Sequence, residues 1–121
     1  MLMNILNKLL QIKIDDEDKY AKIFSQIVKD IQNNKFSFNF DKIEKEDYYI
    51  ILEDNRMDSY FIHVVPKQLW NLFKEIQKKS PDQILGFSVK AGEYKNKEVR
   101  VSCFGVKCNI LGKSLFKLNQ N

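Results

Sequence analysis

The stretch YAKIFSQIVKDIQNNKFSFNF, residues 20–40, changes its hydrophobic period halfway along. Tyr20, Ile23, Phe24, Ile27, Val28 and Ile31 recur at three- and four-residue spacing, the stripe of an amphipathic helix. Phe36, Phe38 and Phe40 then alternate with Ser37 and Asn39, the period of a half-buried strand. A chain that switches from 3.6 to 2 here mixes helix and sheet. Working outward, residues 2–13 place Leu2, Ile5, Leu6, Leu9, Leu10 and Ile12 on one broad arc and predict an earlier helix. Asp15 and Asp16 supply an N-cap, so the second helix should run from about Glu17 to Asn33. Downstream, Asp41–Asp47 reads as a charged loop, Tyr48–Leu52 as a strand apolar on both faces, and Ser59–Val65 as a third strand. Pro66 ends that strand and suits the first position of a helix reaching Lys79.

Ser80, Pro81 and Asp82 break the chain again. Leu85, Phe87, Val89 and Ala91 alternate with polar or small residues, as do Val99, Val101 and Cys103 after a turn at Gly92–Lys97. This pair reads as a β-hairpin, and Val106–Leu111 as one more strand. The order ααβββαββ(β) predicts an α+β fold: an antiparallel sheet of about five or six strands with helices packed on one face. Residues 1–121 form a single domain. Its parts are a helical pair at 2–33, a sheet with an inserted helix at 36–111, and an ambiguous tail at 112–121.

Composition narrows the class. Hydrophobic residues are 44% of 121, enough to offset chain entropy, so wholesale disorder is excluded. No apolar run is long enough for a membrane span. The first residues lack a signal-peptide cleavage site, and two cysteines make no disulfide framework, so a cytoplasmic location is expected. Charge is polarised: residues 1–65 carry 9 basic and 12 acidic side chains, residues 66–121 carry 11 and 4. The basic half points to nucleic acid or an acidic protein as partner.

Several motifs invite chemistry. Pro81-Asp82 followed by Glu93-Tyr94-Lys95 resembles the PD-(D/E)xK nuclease motif, whose carboxylates hold a divalent metal while the lysine positions the attacking water. The resemblance implies Asp82, Glu93 and Lys95 as catalytic residues. Gly92 and Asn96 flank the triplet like a turn, where the family has a strand. Cys103 and Cys108 are too few for a structural zinc with the lone His63, and no cofactor or metal is expected. His63 shares a predicted strand face with Phe61 and Val65, and spacing offers it no orienting partner. Gly112-Lys113-Ser114 lacks the glycine a phosphate loop needs at position 107.

The third helix carries the sharpest surface signal. Leu69, Leu72, Phe73 and Ile76 form its buried arc, and Lys67, Asn71, Lys74 and Lys78 a polar row. Trp70, the only tryptophan, falls at the edge of the apolar arc beside that row. An aromatic half out of the core next to lysines has the composition of an interface hot spot. The same pair also suits phosphates and a stacked base. The plainer alternative is that Trp70 covers the core edge while its N–H reaches water. The polar sheet face, expected to show Ser37, Asn39, Ser88, Lys90, Arg100 and Ser102, lacks the aromatics of an RNA-stacking sheet. The expected function is therefore a non-enzymatic binding module, such as an adaptor, inhibitor or chaperone-like subunit. It would meet an acidic partner, protein first, through residues 66–79 and Lys90, Lys95, Lys97 and Arg100. Sequence-independent nucleic-acid binding is the alternative and a metal-dependent nuclease the third. The first helix, apolar over about half its wheel, is expected to serve core packing or a homodimer seam.

Overall fold

The computed structural model describes residues 17–54, 56–79 and 86–104. The expected helix at 2–13, Asp82, Cys108, the strand at 106–111 and the tail lie outside them. Helix α1 spans Glu17–Gln32 and buries Tyr20, Phe24, Ile27, Val28 and Ile31. It ends where Asn34 takes a left-handed φ of 58°. Asn34 N–H then bonds the Ile31 carbonyl at 3.1 Å and Lys35 N–H the Asp30 carbonyl at 2.7 Å, a Schellman closure. The strands are β1 (Lys42–Glu44), β2 (Tyr48–Glu53), β3 (Ser59–Pro66), β4 (Gly86–Tyr94) and β5 (Lys97–Phe104). Between β3 and β4 come a 3-10 turn, Lys67–Leu69, and helix α2, Trp70–Lys79. The fold is α+β.

The sheet order is β1-β2-β3-β5-β4. Its pairings are antiparallel except β3 with β5, which is parallel, so the sheet is mixed rather than wholly antiparallel. The cause is the placement of the last hairpin. Strand β5, buried at Val99, Val101, Ser102, Cys103 and Phe104, takes the inner place beside β3. Strand β4, with exposed Lys90 and Glu93, is left at the edge. The hairpin turn is two residues, Lys95 (φ 50°) and Asn96 (φ 65°), shorter than the expected Gly92–Lys97 because paired left-handed residues match the strand twist.

The two helices lie on opposite faces, correcting the expectation of one covered face. Tyr20 of α1 meets the Tyr48 ring at 6.1 Å, whereas Trp70 of α2 meets the Tyr49 ring at 4.4 Å. Neighbouring strand residues point to opposite sides. The reason sits in β3, where every residue except Tyr60 is buried. Ile62 and Val64 face α1, while Phe61, His63 and Val65 face α2, so both sides need cover.

The Phe36–Phe40 segment is not a sheet strand, and the first strand instead forms inside the expected loop. Phe38 stacks on Tyr94 of β4 at 3.9 Å and touches Tyr60 of β3 at 6.0 Å. Those two strands are separated by β5, so the segment crosses the sheet face like a strap instead of lying beside a strand. At Gly92 a Cβ would sit 3.4 Å from Ile31 Cγ2, which shows how closely α1 approaches this edge. Phe24 is fully buried, so Phe24→Ala should lower the unfolding free energy by about 3–5 kcal/mol in urea titration. Met57→Ala, at a residue 96% exposed, should change it by less than about 0.5 kcal/mol.

Candidate binding platform

The 3-10 turn and α2 set Trp70 over the sheet face that carries Tyr49. Tyr49 points there because β2 alternates: Tyr48, Ile50 and Leu52 face α1, and Tyr49, Ile51 and Glu53 the other side. Three lysine ammonium groups gather on this aromatic pair. Lys42 lies 5.3 Å from both ring centroids, Lys67 lies 5.3 Å from Tyr49 and Lys74 lies 5.6 Å from Trp70. Each contact falls within the range of cation–π attraction. Glu44 accepts a hydrogen bond from Lys67 at 2.9 Å. That bond holds the Glu44 carboxyl below its usual pKa and raises the Lys67 ammonium above its own. Phe73 stacks on Trp70 at 5.9 Å and ties the platform to the core.

The structure thus joins Lys67, Trp70 and Lys74 of the expected site and adds Lys42 and Tyr49, which sequence reasoning missed. Asn71 and Lys78 are exposed on α2. The basic residues of the hairpin do not extend the platform. Lys90 stands 3.8 Å from Glu93, and Arg100 engages Glu98 at 3.0 Å and the Ser88 hydroxyl at 3.3 Å. Lys97 turns towards the α1 side, donating to the Arg56 carbonyl at 2.8 Å over the Tyr60 ring. Lys95 sits in the turn with its ammonium over Tyr94, while Glu93 belongs to β4. The nuclease triplet is therefore split between strand and turn. Ser88, Lys90, Arg100 and Ser102 do share a face, but Ser37 and Asn39 are on the strap, and Tyr49, Phe61 and Phe104 bring aromatics to that face.

His63 has the partners its spacing hid. Its Nδ1 lies 2.8 Å from Ser102 Oγ and its Nε2 lies 2.8 Å from Glu53 Oε2. With the neutral ring, the Ser102 hydroxyl donates to Nδ1 and Nε2–H donates to Glu53. A serine, a histidine and a carboxylate in line have the outline of a nucleophile relay. Two features favour a structural role. Ser102 is 1% exposed. It also lies inside the sheet, paired with His63 of β3 on one side and Ser88 of β4 on the other. The relay joins β2, β3 and β5 under α2, with Phe73 edge-on to His63 at 5.3 Å. Among the described residues no His, Cys, Asp and Glu cluster could hold a metal, and no helix is long and apolar enough to cross a membrane.

No family model matches this chain, and no curated protein and no solved structure matches it either.

The hydrogen bond from His63 is the main cause that lowers the Glu53 pKa, with Arg56 adding to it against the effect of burial. A depressed carboxylate stabilises the fold above its unfolded pKa, about 4.3, and that stability is lost as pH falls through the lower folded value. Glu53→Gln should therefore cost stability at neutral pH, and the gap to wild type should close as pH falls below about 4. Urea titration at neutral and acid pH checks this, and a pH-independent gap would show that the carboxylate is not held ionised.

Proposed function

We propose that the chain is a binding module that docks an acidic protein partner on the Tyr49–Trp70 platform. The observation that carries this reading is the convergence of Lys42, Lys67 and Lys74 on two touching rings. Rigid aromatics supply contact area at low entropic cost, and ammonium groups around them select carboxylates. Nucleic acid is the alternative, since lysines also neutralise phosphates. The protein reading is favoured because both rings already carry ammonium groups and touch each other, leaving less open π surface for a base.

Trp70 is the only tryptophan, so its fluorescence reports occupancy of the platform directly. A labelled oligoglutamate peptide should quench or shift that emission and bind in anisotropy at low salt. Trp70→Ala should weaken anisotropy binding by at least about tenfold, the scale of an interface hot spot. Replacing Lys42, Lys67 and Lys74 together with glutamate should abolish it. Tighter binding of a single-stranded oligonucleotide, with a salt slope that drops for each lysine removed, would move the assignment to nucleic acid. No binding of either probe would overturn the platform.

A further inference from the structure

We propose that the strap Lys35–Asp41 is a self-pairing edge, through which two copies of the chain associate as an antiparallel strand pair centred on Phe38. The first support is conformational. Lys35, Ser37 and Asn39 are exposed while Phe36, Phe38 and Phe40 are half-buried, the strict alternation of a β-strand. Yet the segment belongs to no ladder: among the described residues no backbone group of Phe36–Phe40 bonds another backbone group, and the Asn39 N–H reaches only the Ser37 hydroxyl, at a long 3.4 Å. A strand-like segment whose backbone stands outside any ladder is a template for pairing with another chain. Neither proline nor glycine interrupts it, and its inward positions are all phenylalanine.

The second support identifies the occupant. The strap reads Lys-Phe-Ser-Phe-Asn-Phe-Asp, residues 35–41, and is a palindrome in residue class with opposite charges at its ends. Antiparallel pairing about Phe38 sets Lys35 opposite the partner's Asp41, Phe36 opposite the partner's Phe40 and Ser37 opposite the partner's Asn39. Each cross-strand pair is matched, and the two-fold axis generates both ionic pairs at once. Parallel in-register pairing would set lysine on lysine and aspartate on aspartate. Slipping the antiparallel register by two residues loses both ionic pairs. Asp41 keeps its carbonyl on Leu52 N–H at 2.9 Å, so its exposed side chain remains available. So short a contact lies below a standard interface and should associate in the micromolar range or weaker.

Sedimentation equilibrium of the full chain, from low micromolar to near-millimolar concentration, should show a monomer–dimer equilibrium. Lys35→Asp and Asp41→Lys should each weaken it by at least about tenfold, because like charges then face each other across the pair. The double variant should recover it. Hydrogen exchange should show amides of Phe36–Phe40 gaining protection as concentration rises, with circular dichroism confirming the native fold of each variant. A monomer at every concentration would overturn the proposal. So would a dimer indifferent to either charge reversal, as a seam at the first residues of the chain would give. Polymers beyond the dimer would overturn the two-fold closure.

Discussion

Burial of β3 on both faces is the constraint from which the other placements follow. Its Ile62 and Val64 are fully covered on one side, and Phe61, His63 and Val65 on the other. A strand of this kind must be interior in the sheet and must have a layer above and below. Helix α1 and the phenylalanine strap provide one layer, and α2 provides the other. The parallel partner β5 completes the centre with a strand that is likewise buried over most of its length.

The same constraint explains the polar relay. His63 sits where an apolar side chain would be expected, between Phe61 and Val65 on a covered face. A buried imidazole is tolerated only when both ring nitrogens find partners. Ser102 from β5 and Glu53 from β2 supply them, one from each neighbouring strand. The relay ties β3 to the two strands that flank it, with Ser102 only 1% exposed. The Tyr49–Trp70 platform is the outer margin of that layer. Where α2 leaves the covered centre, Trp70 and Tyr49 are half-buried and the lysines reach over them. Cation–π contacts at exposed sites contribute about 0.5–1 kcal/mol each, enough to bias the ammonium positions without locking them.

The helical stripe Tyr20–Ile31, the strands at 48–52 and 59–65, the helix reaching Lys79 and the last hairpin were all legible from period alone. The strap shows the limit of that signal. Its period is that of a strand and its alternation of burial is real, but period reports which side chains turn inward, not whether another backbone lies alongside. The layering failed for a related reason. The expectation of one covered face followed from element order, although Phe61–Val65, apolar at every position but His63, already implied two-sided burial.

For the site, the sequence by itself determined that Trp70 would sit at the edge of an apolar arc beside Lys74, because these two residues share one helix and helical geometry fixes their spacing, whereas Lys67 falls in the 3-10 turn before it. It also determined the charge-complementary palindrome of residues 35–41. Tertiary structure alone decided that Lys42 and Tyr49 join Trp70, and that Glu53 and Ser102 meet His63. Those contacts depend on strand register and on which face a helix covers, and both are set by the packing of distant segments around β3, which no local pattern encodes.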